Sequence, residues 1–133
     1  MGTWGSGIYD NDDAADWSHE VTERGLGAVE AALDAVLEAE YVEAPEGACA
    51  VVAADVLARL ISGRGEESSY AGAVVAWVAS TVERPTAPLI AKAKQALERL
   101  RGEESELAEL WADDESSYAS WLQTLKDVEQ RLG

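Results

Sequence analysis

One stretch, residues 46–62, constrains the fold more than any other, because it has a helical pattern and is apolar on almost every side. Its apolar side chains include Cys49, Val51, Val52, Val56, Leu57, Leu60 and Ile61. A helix that is apolar all round lies inside a protein, surrounded by other elements. Asp55 and Arg59 interrupt the pattern, and their i,i+4 spacing lets the two side chains pair. The sequence therefore predicts a central helix that carries a charge pair.

The rest of the chain also shows helical periodicity, with no convincing strand alternation. Glycines, prolines and capping residues bound further predicted helices: from within 10–13 to 24, 26–40, 70–82, 86–101, 106–112 and 115–132. Residues 70–82 look like a second central helix, although their valines also permit a strand. We expect one all-α domain over residues 1–133, a compact bundle of six or seven helices. An irregular N-terminal segment, residues 1–9, should pack on that bundle.

Net charge limits the classes of partner. The chain has 26 acidic and 10 basic residues, for a formal net charge of −16. Residues 1–67 hold fifteen acids and three bases, and residues 68–133 hold eleven and seven, so the acidity is concentrated in the first half. Direct nucleic-acid binding and anionic membranes are disfavoured, because both require a positive surface. A basic protein partner fits this charge, although an acidic surface also simply keeps proteins soluble.

Cysteine usage and the N-terminal sequence indicate the compartment. Cys49 is the only cysteine, so no disulfide can form within the chain, which fits a reducing cytoplasm. The N-terminus lacks the basic and then apolar regions of a signal peptide. Five tryptophans supply the bulk of a core that has no phenylalanine, and we expect most of them to be at least half buried. We predict a cytoplasmic protein.

The first seventeen residues combine glycines, aromatic residues and acids. Trp4 lies among three glycines, Tyr9 and Trp17 flank the acidic run, and that run contains Asp10, Asn11, Asp12, Asp13 and Asp16. Either Asp10 or Asp13 could serve as the N-cap of the first helix. The same oxygen atoms could bind Ca²⁺ or Mg²⁺, although the spacing is not that of an EF-hand. The glycines do not form a phosphate loop, since no strand precedes them and acids follow.

Two segments resemble a known family. The opening residues, 2–12 with Ala15-Asp16-Trp17, and the later Ser105-Glu106-Leu107-Ala108-Glu109-Leu110-Trp111, followed by Trp121 and Arg131-Leu132, are similar to the signature of a bacterial family. It is the family of domain of unknown function 4259, and the resemblance spans nearly the whole chain. The resemblance implies a small cytoplasmic bacterial domain, and it names no substrate. Tyr9 departs mildly from the phenylalanine that we associate with the family at this position.

Three functional hypotheses follow. The favoured one is a small acidic interaction module, not an enzyme, that binds a basic protein as an immunity protein or a nucleic-acid mimic does. The second is a structural or self-associating domain, pairing through the last helix, residues 118–132. The third is a metal-dependent enzyme or metal-binding protein that uses the Asp10–Asp16 cluster. No cofactor, metal site or catalytic residue is predicted. The candidate binding residues are Trp4, Asp10, Asn11, Asp12, Asp13, Asp16, Asp55 and Arg59.

Overall fold

The computed structural model describes residues 7–65 and 67–133, and within them the fold is all-α. Seven α-helices occur in the order α1 (Asp12–Arg24), α2 (Leu26–Glu38), α3 (Ala44–Ser62), α4 (Gly72–Ser80), α5 (Ala87–Leu100), α6 (Glu106–Trp111) and α7 (Glu115–Leu132). A single turn of 3₁₀ helix, Ser69–Ala71, leads into α4. None of the described helices has both the length and the apolar character that a membrane crossing requires. The predicted all-α fold class is confirmed. Most of the predicted irregular N-terminal segment, residues 1–6, lies outside the described residues.

Helix α3 lies at the centre of the bundle, as its sequence predicts. Every residue from Gly47 to Arg59 is buried except the half-buried Cys49. Helices α1, α2, α5 and α7 pack around α3, and one hydrophobic core joins all of them. Because many α3 side chains are alanine or valine, the neighbouring helix axes can approach closely. Trp121 is buried in this core, whereas Trp17, Trp77 and Trp111 are half-buried against it.

The N-cap of α1 is Asn11, so both predicted caps, Asp10 and Asp13, are wrong. The Asn11 side chain accepts a hydrogen bond from the Ala14 N–H at 2.8 Å. Its backbone is extended, with φ −158° and ψ 156°, as an N-cap requires. The Asp10 carboxylate instead accepts the Gly7 N–H at 3.1 Å and stabilises the turn before the helix. An amide therefore caps the helix, and the acids at Asp12 and Asp13 add a favourable charge to its first turn.

Residues 70–82 contain a helix as predicted, but its position in the bundle differs from the predicted one. The helix is present and the strand alternative is wrong, but α4 is not central. Val74 is its one fully buried residue, and Val75 is 50% exposed. Helix α4 packs mainly against α1 and also touches α3, so one side of it faces the core. Its apolar composition therefore exceeds what the bundle covers.

Two connections between helices are hydrogen-bonded to each other. The segment between α2 and α3 forms an isolated parallel bridge with the segment between α5 and α6, at Val42 and Ser105. The Val42 N–H donates to the Glu104 carbonyl, and the Glu106 N–H donates to the Val42 carbonyl, both at 2.9 Å. The Glu106 carboxylate then accepts the N–H of Ala44 at 2.7 Å, at the start of α3. These bonds fix where α3 begins.

Gly47 supplies a test of the packing between α3 and its neighbours. A Cβ atom at Gly47 would lie 2.8 Å from Leu107 Cδ1 and 3.1 Å from Leu100 Cδ2. We expect Gly47→Val to lower the free energy of unfolding by about 1–3 kcal/mol, because it overpacks this contact. Gly27→Val, in α2, is the matched control, because a Cβ atom there meets nothing within 4 Å. Urea denaturation compares the two, and equal losses would contradict the packing argument.

Candidate functional site

A buried carboxylate, Asp55, binds three side chains from three separate parts of the chain. Asp55 Oδ2 accepts the Tyr9 hydroxyl and the Arg59 Nε–H, each at 2.7 Å. Asp55 Oδ1 accepts an Arg131 Nη2–H at 2.6 Å. Asp55 and Tyr9 are 0% exposed, and Arg131 is 3% exposed. The predicted pairing of Asp55 with Arg59 is confirmed, and it is one contact of a larger network.

Arg131 extends this network to the chain beyond α3. Its Nε–H donates to the Asp127 carboxylate at 3.0 Å, one turn earlier in α7. Its Nη1–H donates to the Arg64 carbonyl at 3.0 Å, in the loop that follows α3. The guanidinium of Arg59 also lies 5.7 Å from the centre of the Tyr9 ring, in cation–π range. In the described part of the chain, every buried side-chain nitrogen and oxygen atom has a hydrogen-bond partner.

The electrostatics of the network fix its protonation states. Burial alone would lower the pKa of Arg131, but the hydrogen bond and charge of Asp55 outweigh it and raise that pKa above its ordinary value. The pKa of Arg59 is raised by the same balance of burial against Asp55. Burial, and next the charge of Asp55, hold the pKa of the Tyr9 hydroxyl well above its usual range. Both arginines therefore stay charged and Tyr9 stays a hydrogen-bond donor.

Asp55 and Arg59 make contacts that hold the interior of the bundle together. Both residues lie in the interior, at 0% and 8% exposure, so neither presents a surface to a protein partner. Sequence reasoning missed Arg131 and the bond from Tyr9. The available signal for Arg131 was its place in α7, three residues after the buried Val128 and beside Leu132. An arginine at a core position of an amphipathic helix needs a buried acid, and Asp55 is the one that α3 offers.

The acidic run at the N-terminus does not gather into one site. Asp10 and Asn11 make the local turn and cap bonds given above. Asp12, Asp13 and Asp16 are exposed on α1. Within residues 7–65 and 67–133, no group of three or more His, Cys, Asp or Glu side chains is placed to hold a metal ion. Trp4 lies outside the described residues.

A shallow groove lies beside the exposed acids of α1. It is lined by Trp17 of α1, Ala32 and Ala35 of α2, and Pro45, Glu46 and Cys49 of α3. Burial raises the pKa of the Cys49 thiol to about 12, and the charges of Asp13, Glu46 and Asp16 add to that effect. The charges of three carboxylates therefore act on this thiol. We call the lining residues together with Asp13 and Asp16 the acidic groove.

The carboxylates of the acidic groove form no ion pair with a described basic side chain. Asp13, Asp16 and Glu46 are exposed, and no described Lys, Arg or His nitrogen lies within 4.0 Å of them. Two basic side chains elsewhere are already paired with acids. Lys92 pairs with Glu30 and Asp34, both at 2.9 Å, and Arg101 pairs with Glu129 at 2.8 Å. Among the described residues, the negative charge of the groove is therefore unpaired.

The guanidinium of Arg99 binds backbone carbonyl groups and, among the residues described, no acidic side chain. Its guanidinium donates to the carbonyls of Val36, Leu37 and Glu40, at 2.9, 3.1 and 2.9 Å. These groups lie at and just beyond the C-terminal end of α2, where the helix dipole favours a positive charge. Arg99 is thus bound to backbone oxygen atoms and does not neutralise a carboxylate on the surface.

The family comparison matches residues 2–124 of the 133 to the domain of unknown function DUF4259. That range includes α1 to α6 and the first part of α7. None of the curated proteins and none of the solved structures that were compared matches the chain.

Removing the charge of Asp55 should destabilise the fold more than any surface change. We expect Asp55→Asn to lower the free energy of unfolding by about 3–5 kcal/mol, because two buried arginines lose their counter-charge. Asp127→Asn is the matched control. Its side chain is 49% exposed, so we expect a loss of about 1 kcal/mol or less. Urea denaturation measures both, and a loss for Asp55→Asn no larger than the control would contradict a buried network.

The thiol of Cys49 should react slowly while the chain is folded. With a pKa of about 12, almost none of it is thiolate at neutral pH, and the thiolate is the reactive form. We expect iodoacetamide to modify the folded protein about a hundredfold more slowly than the urea-unfolded protein. Asp13→Asn should accelerate the folded-state reaction slightly, and Asp114→Asn, in the cap of α7, should not. Equal folded and unfolded rates would contradict the raised pKa.

Proposed function

The chain is a member of the DUF4259 family, and we propose that it is an acidic interaction module that binds a basic protein through the acidic groove. The observation that supports this proposal most directly is the uncompensated charge of Asp13, Asp16 and Glu46 around a half-buried tryptophan. A lysine or arginine side chain fits such a surface, because its aliphatic stem can lie on Trp17 while its charged end meets carboxylates.

The distribution of charge further supports a basic partner. The chain's net charge is −16, and its first half, which supplies the whole acidic groove, has a net charge of −12 from fifteen acids and three bases. Long-range attraction from such a surface accelerates the association of oppositely charged proteins and is weakened by salt. Lys92, Arg99 and Arg101 are engaged by other groups: Glu30, the carbonyl of Val36 and Glu129. The single cysteine supports placing the module in a reducing bacterial cytoplasm.

The first experiment uses a defined probe, a lysine-rich peptide, titrated into the full chain while the tryptophan fluorescence is followed. The groove variant neutralises three carboxylates: Asp13→Asn, Asp16→Asn and Glu46→Gln. The control variant neutralises three exposed carboxylates elsewhere: Glu98→Gln, Glu103→Gln and Glu115→Gln. Both variants change the net charge by the same amount. Their comparison therefore separates a local surface from general attraction to an acidic protein.

We expect the groove variant to weaken binding about tenfold or more and the control variant to weaken it about twofold. Binding should also weaken as salt rises from about 0.05 M to about 0.3 M, since the Debye length shortens over that range. Equal losses for the two variants would remove the acidic groove as the binding surface. No binding at low salt would remove the whole proposal. The same variant pair then serves as bait in lysate, where a true partner is retained by the control and lost by the groove variant.

A further inference from the structure

We infer that the acidic groove binds a basic segment of its partner through one aliphatic side chain, which lies on the apolar lining with a lysine or arginine on each side of it. This inference rests on the proposed function and adds the feature by which the groove selects among basic segments. Three properties of the groove support it: the composition of its lining, its size and the origin of its carboxylates.

The lining of the groove is apolar and open to water. Five of the six lining side chains are apolar, and they come from three helices: Trp17, Ala32, Ala35, Pro45 and Cys49. Ala35 and Pro45 are exposed, and the other three are half-buried. Covering such a surface is favourable when the covering group is itself apolar, whereas an ammonium or guanidinium group loses hydration against it. The lining therefore selects an aliphatic side chain.

The size of the groove fits a single side chain. Its volume is about 170 Å³. Pockets that enclose drug-sized molecules measure about 300–1,000 Å³, whereas a cavity of about 150 Å³ holds one benzene molecule. A leucine side chain is no larger than benzene. The occupant is therefore one side chain of a larger molecule and not a free organic cofactor.

The carboxylates of the groove come from two of the three helices that line it. Glu46, of α3, is itself a lining residue. Asp13 lies in the first turn of α1, where its backbone carbonyl accepts the Cys49 thiol at an S···O distance of 3.9 Å, and Asp16 directly precedes Trp17. A segment that crosses the lining therefore meets carboxylates of both helices. This arrangement places a cation of the segment on either side of its aliphatic residue.

Cations are required because any group that covers the lining also removes water from these carboxylates. The carboxylates form no ion pair with a described basic side chain, so a neutral apolar segment would leave them without a counter-charge as they lose hydration. A second copy of this chain, with its net charge of −16, would add repulsion. Charge complementarity thus favours a basic segment over both of these occupants.

Three short peptides, titrated into the full chain in a calorimeter, test the inference. The first has a central leucine between lysines, the second has alanine in place of the leucine, and the third keeps the leucine but has glutamine in place of every lysine. We expect the first to bind about fivefold to tenfold more tightly than the second, because the open groove buries part of a leucine side chain. The third should show no measurable binding. Equal affinities of the first two would overturn the aliphatic contact, and binding of the third as tight as the first would overturn the need for cations.

Filling the groove should abolish the preference for leucine. Ala35→Leu adds a branched side chain to the lining, and Ala119→Leu adds the same group at an exposed site on α7. We expect Ala35→Leu to bind the leucine and alanine peptides equally, and Ala119→Leu to keep the difference of about fivefold to tenfold. Both sites are exposed, so both variants should fold, which circular dichroism verifies. A leucine preference that survives Ala35→Leu would overturn the placement of the side chain in the groove.

Cys49, the one cysteine of the chain, reports where the central residue of the peptide lies. A disulfide forms only where the two Cα atoms lie within about 7 Å of each other. One peptide has cysteine in place of the central leucine, and another keeps the leucine and has cysteine at one end. In a glutathione redox buffer we expect the central cysteine to form at least about fivefold more mixed disulfide than the terminal one, and Cys49→Ala to form none. Equal yields, or a higher yield from the terminal cysteine, would overturn the inference.

The groove variant, which combines Asp13→Asn, Asp16→Asn and Glu46→Gln, separates this inference from the proposed function. If the leucine and alanine peptides bind equally and the groove variant still weakens both, the acidic interaction module stands and the aliphatic contact is wrong. If the groove variant weakens them no more than the control variant does, the proposed function fails and the aliphatic contact fails with it.

Discussion

The bundle depends on one buried carboxylate. Asp55 is fully enclosed and accepts hydrogen bonds from Tyr9 and Arg131, which are 46 and 76 residues away in the sequence. A buried charge is tolerated only when it is paired and its remaining lone pairs are satisfied. Arg59 and Arg131 supply the charge, and Tyr9 supplies a further donor. The residues before α1, the central helix and the last helix are therefore joined at one point.

This arrangement also shapes the outer surface. The chain has 10 basic residues, and two of them are drawn inside to face Asp55. Others are bound to Glu30, Asp34, Glu129 or the carbonyls at the C-terminal end of α2. In the described chain, Asp13 and Asp16 of α1 and Glu46 of α3 consequently have no Lys, Arg or His nitrogen within 4.0 Å. Because the chain has few basic residues, those that pair with Asp55 in the interior are not available to neutralise acids on the surface.

The sequence predicted local structure well and long-range contacts poorly. Apolar periodicity located α3, and the predicted helices over 86–101 and 106–112 match α5 and α6, whose N-caps are Thr86 and Ser105. An i,i+4 spacing revealed the bond between Asp55 and Arg59, because that contact lies within one helix. Arg131 stayed hidden because its partner is on another helix, and periodicity carries no information about which helices meet. The exposed face of α4 was missed for a similar reason, since apolar composition does not tell how many sides are covered.

The acidic groove also could not be predicted, because a sequence does not show which helices meet. The acids of α1 were identified from the sequence, but Glu46 and Cys49 belong to α3, and only packing places them beside Trp17.

The all-apolar surface of α3 has a further effect during folding. Helices α5 and α7 cover it and come much later in the chain, so incompletely folded chains expose apolar helix that could aggregate. A net charge of −16 keeps such intermediates apart, and the acidity therefore protects the route to the fold as well as the finished surface.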